Sequence, residues 1–227
     1  MTEAVLAVWL VAVLPAYMCW KSLRPRRPDR SRTTRYLSTI GLVAVSVAAL
    51  AAIWIAQGRT GADLGLAIPP PLAGMIGLLI AALIIPVLIV MMRAKARTDR
   101  PPSDAMNALL PETGSEAFLF VVFSVVAGFG WEVLYRGFLL WFLQPFVTLW
   151  GAVLLAAIAY GLAHGIADKR RIGPSLLSAL VFTAAYALTH SLWWLIVIHI
   201  ALPLLGAFAA RRSSGTQPGS TTVTPPA

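Results

Sequence analysis

Apolar runs as long as a membrane-spanning helix alternate along this chain with short segments crowded with arginine, lysine and proline. A helix needs roughly 20 mainly apolar residues to cross a bilayer. Seven runs meet or approach that length: residues 4–20, 37–56, 70–92, 118–142, 148–166, 174–188 and 192–210. In hydrocarbon every backbone N–H and C=O must find its partner within the protein, so runs of this kind fold as helices. The expected fold class is all-α, a polytopic membrane helix bundle of about seven transmembrane helices. Composition agrees. Charged residues make up 12% of the chain, against about 25% in soluble domains.

The basic residues give the bundle a direction. Seven Lys and Arg fall between Lys21 and Arg35, and further clusters lie at 93–100, 169–171 and 211–212. With seven spans these are alternate loops, so the positive-inside rule puts all of them in the cytoplasm. The N-terminus is then outside and the C-terminus cytoplasmic. Six spans would leave a cluster on the wrong side. The net charge of +9 is thus accounted for without nucleic acid, because no soluble domain is left to carry a basic patch. Cys19 is the only cysteine, which excludes an intramolecular disulfide and a cysteine-based zinc cluster. The first run has no basic residues before it and no small-residue cleavage site after it, so it reads as a retained span. Three parts are expected: N-terminal spans and basic loops over 1–109, a membrane domain over 110–210, and a disordered Ser/Thr/Gly/Pro tail over 211–227.

Glu132 and Arg136 lie inside the fourth run, far from polar flanks. An ionisable group at membrane depth is costly unless paired and marks a functional site by default. The two are four residues apart and share a helix face. They read either as a neutralised pair that packs the bundle or as a catalytic or ion-binding carboxylate with its partner. His164 adds weight to the second reading. It and Glu132 each stand sixteen residues from Thr148, where the chain turns between the fourth and fifth runs. In an antiparallel hairpin both then sit about 24 Å from that turn. A carboxylate and an imidazole at one depth suit the activation of water, and they also suit two ligands of a metal. The apolar stretch 118–130 must still be placed, so the fourth run is expected either to tilt strongly or to break at Gly128 and Gly130. His199 lies inside the seventh run, and Pro203 four residues later frees its carbonyl from the helix ladder. Alone, His199 reads more readily as a packing residue. His190 falls in a short connection and reads as interfacial.

Taken together, these residues resemble the CPBP family, the CAAX-protease and bacteriocin-processing (Abi) membrane proteins. The family carries E-E-x-x-x-R, F-x-x-x-H and H-x-x-x-N/D on successive membrane helices. Here the first motif reads from Trp131-Glu132 to Arg136, followed by Gly137-Phe138-Leu139-Leu140. The second runs from Tyr160 to His164. The third runs from His199 to Pro203, preceded by Ser191-Leu192-Trp193. The likeness covers about residues 110–206. It implies that the first Glu and the second-motif His activate water, while the third-motif His and Asn stabilise the oxyanion. Both metalloprotease and glutamate-protease descriptions attach to the family, so zinc held by Glu132, His164 and His199 is the candidate cofactor under the first of these. Three departures stand out: Trp131 for the first Glu, Tyr160 for Phe, and Pro203 for Asn or Asp. One residue along a helix is a rotation of about 100°, so Glu132 replaces position 131 only if the helix rotates or unwinds.

The expectation is an intramembrane endopeptidase in a bacterial plasma membrane, acting on a membrane-associated peptide or protein through Glu132, His164 and His199, with Arg136 and Tyr160 as motif residues. Its partners are the bilayer and that substrate. A family member without catalysis, serving as a membrane scaffold, is the alternative. A small transporter using Glu132 and His164 as a proton relay is the third reading.

Overall fold

A computed structural model describes residues 1–24, 31–96, 110–166 and 169–214. The remainder of the basic stretch at 97–109, Asp168 and the tail from 215 lie outside the described residues. The described residues form helices and turns, with no strand. We number seven helices: α1 Thr2–Leu23, α2 Arg32–Ala56, α3 Leu72–Ala96, α4 Gly114–Leu143, α5 Leu149–Ala163, α6 Lys169–Thr189 and α7 Trp193–Ser214. In α1, α2, α3, α4 and α6 there is a stretch long and apolar enough to cross a membrane. The apolar parts of α5 and α7 are shorter. The protein is therefore an all-α integral membrane protein.

Side chains at the helix starts explain where the helices begin. Ser31 Oγ accepts the backbone N–H of Thr34 at 3.2 Å ahead of α2. Thr113 and Glu116 form a reciprocal capping box ahead of α4. Thr148 Oγ1 accepts the N–H of Gly151 at 3.2 Å ahead of α5. Each satisfies a donor that the first turn of a helix leaves open. The helix α5 stops because Gly165 takes a left-handed φ of 84°, the usual way for a helix to end. Its lack of a side chain also matters. A Cβ there would lie 2.7 Å from that of Ser22, whose hydroxyl accepts the N–H of Ile166 at 3.0 Å. The end of α1 is thereby tied to the end of α5.

Many large apolar side chains point outward. Val45, Leu83, Val87 and Phe118 are all more than half exposed, as lipid-facing positions should be. Of the spans α4 is the most enclosed, and α3 and α6 the least. The central helix packs against α2 and α7, while α5 packs against α1 and α6 and α7 against α3. The fourth run does not break at Gly128 and Gly130. It stays helical for 30 residues, about 45 Å, which exceeds a hydrocarbon core of about 30 Å and calls for tilt. The two glycines are close-packing points. A Cβ on Gly128 would lie 2.6 Å from Ile200 Cγ1 of α7, and one on Gly130 would lie 2.1 Å from Val43 Cγ1 of α2.

Two stretches leave the α-helical ladder for a π-helical one: Trp9–Val13 in α1 and Glu132–Leu139 in α4. In α1 the cause is Pro15, which has no N–H for the carbonyl four residues back. The two irregular stretches touch. Tyr135 donates its hydroxyl to the carbonyl of Leu10 at 3.1 Å.

Candidate active site

Helices α4, α5, α6 and α7 enclose a cavity of about 140 Å³. Its polar lining is Glu132 and Arg136 from α4, Tyr160 and His164 from the end of α5, Ser175 and Ser178 from α6, and His199 from α7. Phe182, Leu195 and Leu202 are among the apolar residues that complete it. The spacings are helical. Residues 132 and 136, 160 and 164, 175, 178 and 182, and 195, 199 and 202 each form a one-face series.

The π-helical stretch begins at Glu132. Glu132 lines the cavity and Trp131 does not. Single π turns inside α-helices recur at functional sites. Trp131 is partly buried and packs its ring against Tyr135 at 5.9 Å. It is absent from the cavity wall. Pro203 is also absent from it, though its neighbour Leu202 is present.

Glu132 Oε1 accepts two bonds, from Arg136 at 2.6 Å and from His199 Nδ1 at 2.7 Å. The Glu132 and Arg136 side chains are 3% and 2% exposed. Burying two such ions costs several kcal/mol each unless they pair well. The short ion pair offsets much of that. So do the rings of Tyr160 and Phe182, whose centroids lie 4.6 and 5.9 Å from the guanidinium. Compensation is incomplete: Glu132 Oε2 and Arg136 Nε are buried without a hydrogen-bond partner. A native buried polar atom left in this way needs a reason.

The histidine tautomers follow from their partners. A carbonyl oxygen can only accept, so the 2.9 Å contact between His164 Nδ1 and the Tyr160 carbonyl places a proton on Nδ1. A carboxylate can only accept, so Nδ1 of His199 also carries a proton. When neutral, each ring keeps its lone pair on Nε2. Tyr160 stands between them. Its hydroxyl is 3.4 Å from His199 Nε2 and its ring meets that of His164 edge-on at 4.6 Å.

Glu132 and His164, matched in depth from sequence, line one cavity, yet the imidazole bonded to Glu132 is that of His199. His190, at φ 47° between α6 and α7, packs on Tyr186 away from this lining. Ser175, Ser178 and Phe182 were not anticipated. Their spacing along one face of α6 was the available signal. Among the described residues, no group of three His, Cys, Asp or Glu side chains is placed to hold a metal ion. By that arrangement Glu132, His164 and His199 do not fit a three-ligand zinc site.

Residues 113–205 match the family model described as Type II CAAX prenyl endopeptidase Rce1-like. No curated protein and no solved structure gives a significant match. The match covers α4 to α7 and every polar residue of the cavity. This part of the chain, and with it the candidate site, is thus similar to the CAAX prenyl endopeptidases, which supports assignment to the CPBP/CAAX protease family.

Proposed function

We propose that the protein is an intramembrane endopeptidase, residing in a bacterial plasma membrane, that hydrolyses a membrane-associated peptide or protein with water activated by Glu132 and histidine. One observation carries the reading. Glu132, His164 and His199, from three different helices, line one cavity at membrane depth, with Glu132 hydrogen-bonded to His199. Trp131 removes the family's carboxylate base, and the geometry offers another. Glu132 backs His199 through Nδ1, as the carboxylate of a catalytic triad backs its imidazole, and leaves Nε2 to accept a proton.

The step balances as follows. Water oxygen bonds to the scissile carbonyl carbon while the C=O π pair moves onto oxygen. The water proton passes to His199 Nε2, and His164 Nε2 accepts the second O–H and orients the attack. The oxyanion then re-forms C=O, the C–N bond breaks, and the amine nitrogen takes the proton from His199. The products are a carboxylic acid and an amine. Arg136 supplies the countercharge that lets Glu132 stay in an apolar bundle.

The test uses full-length protein in liposomes with two internally quenched peptides. One carries a farnesylated cysteine followed by three residues, and the other is a membrane-anchored peptide without prenyl. Wild type should cleave at least one. Glu132→Gln and His199→Ala should each slow cleavage by about 10² to 10⁴, and His164→Ala should also reduce it, while the protein still accumulates. Full activity in Glu132→Gln would falsify the assignment.

The scaffold reading draws on Trp131 and Pro203, together with an ion pair that is already closed. It predicts no cleavage by wild type and a gain of cleavage in Trp131→Glu. It also predicts that Glu132→Gln lowers the melting temperature and that Glu132→Gln/Arg136→Met restores it.

A further inference from the structure

The water-activating chemistry gives no task to Tyr160, the cavity residue in contact with Arg136, His164 and His199 together. Its side chain is buried and its ring is fixed on four sides, by Tyr135 at 5.2 Å, His164 at 4.6 Å, His199 at 6.2 Å and the Arg136 guanidinium at 4.6 Å. The hydroxyl oxygen is also within hydrogen-bonding reach of Arg136, which can only donate, so the O–H proton is left to be given elsewhere. The hydroxyl's contact with His199 Nε2, at 3.4 Å, is long for an O–H donor, whose usual distance is about 2.8 Å. The site also needs a donor. Water attack creates a negative oxygen, and the family position that would stabilise it is here Pro203, which has no side-chain donor.

We infer that the Tyr160 hydroxyl is the oxyanion donor of this site, brought into play by the protonation of His199. The inference rests on the hydrolytic reading above. In the resting site His199 Nε2 holds a lone pair, so the hydroxyl donates to it. The attacking water takes over that lone pair as its proton moves to Nε2. The ring nitrogen can then no longer accept from tyrosine, and the O–H is released toward the cavity. The new negative charge on the substrate oxygen arises in that same step. No proton is lost from Tyr160 and none is gained. The donor is offered only as charge develops, the condition under which an interaction accelerates the chemical step. The aromatic cage fixes the phenol, so little reorganisation is needed.

Tyr160→Phe tests this directly, because it keeps the ring and deletes only the hydroxyl. In the liposome assay we expect kcat to fall about 10² to 10³-fold, with KM and melting temperature close to wild type. A non-cleavable peptide phosphonate, shaped like the tetrahedral intermediate, should bind the variant more weakly by a similar factor. An uncleaved substrate peptide bound to Glu132→Gln should bind equally well with or without the tyrosine hydroxyl. Unchanged kcat in Tyr160→Phe overturns the inference and leaves the hydrolytic reading intact, provided His199→Ala is inactive. A parallel loss of kcat, substrate affinity and melting temperature overturns it as well, since it marks a packing role. Full activity in Glu132→Gln, or a wild type that neither cleaves the peptides nor binds the phosphonate, removes both.

Discussion

Two of the arginine–carboxylate pairs among the described residues are built from similar parts. Arg59 pairs with Glu3, and its guanidinium lies 4.8 Å from the Trp54 ring and 4.1 Å from that of Trp141. Arg136 pairs with Glu132 and lies against Tyr160 and Phe182. The surroundings differ. The Arg59 and Glu3 side chains keep 28% and 19% of their exposure, and the pair ties the start of α1 to the loop after α2 and the end of α4. The Arg136 and Glu132 side chains are almost wholly buried, share their carboxylate with His199, and leave Oε2 and Nε unpartnered beside a cavity. The first pair is a clasp near water, where an ion pair is worth little. The second is an unfinished buried network, expensive to keep and therefore informative. Pairing alone does not distinguish structure from function; burial beside an opening and incomplete satisfaction do.

The sharpest way to break this comparison is Glu132→Gln, for which we expect a loss of about 10² to 10⁴ in cleavage rate, read in proteoliposomes. A loss of less than tenfold would put the two pairs on the same footing. Next comes Arg136→Met, which leaves a buried carboxylate without its countercharge. Destabilisation should be about 3–5 kcal/mol, measured by denaturation in detergent, and most of it should return in Glu132→Gln/Arg136→Met. Equal stability of the single and double variants would show that the charge is not what matters. Gly130→Ala tests the approach of α4 to α2 that sets the site in place. With Val43 Cγ1 at 2.1 Å from the added Cβ, overpacking should cost about 1–3 kcal/mol. Gly41→Ala, where nothing lies within 4 Å, should not be destabilising. For the peripheral pair, Glu3→Gln should change stability by about 0–1 kcal/mol and leave cleavage unaltered. A collapse of activity there would make the clasp part of the site.

The smallest effect concerns the loop that carries Arg59. The backbone N–H and hydroxyl of Thr60 hold the Asp63 carboxyl below its ordinary range. Its contribution is present above the unfolded carboxylate pKa of about 3.9 and is lost as pH falls through the lower folded value. Asp63→Asn should therefore lower the melting temperature slightly at neutral pH and flatten the acid limb, so that the two profiles meet at low pH. An undiminished difference at low pH would show that the charge of the carboxylate is not what matters.

How far the site could be read in advance differs from residue to residue. The Glu132–Arg136 bond was legible because i, i+4 neighbours on a helix must meet. A common depth for Glu132 and His164 was legible because a hairpin folds equal lengths back on each other. That His199 bonds Glu132 was not legible, because it depends on how α7 is rotated against α4. Nor was the course of the fourth run. Gly128 and Gly130 read as breakpoints, whereas helix-to-helix contact uses them as close-packing points and the distortion falls just beyond them, at Glu132.

Sequence by itself determined that this chain is a bundle of membrane helices, because apolar runs of that length leave the backbone no other way to satisfy itself in lipid. It also determined where polar chemistry could be tolerated, because so few ionisable residues lie within those runs. Tertiary structure alone decided which of them meet. Glu132 faces the cavity while Trp131 packs outside it, the crossing of α7 brings His199 to Glu132, and the end of α5 sets the Tyr160 ring between two imidazoles. Side-chain rotation about a helix axis is settled by packing against neighbours, and that information is spread over the whole bundle rather than written in any one motif.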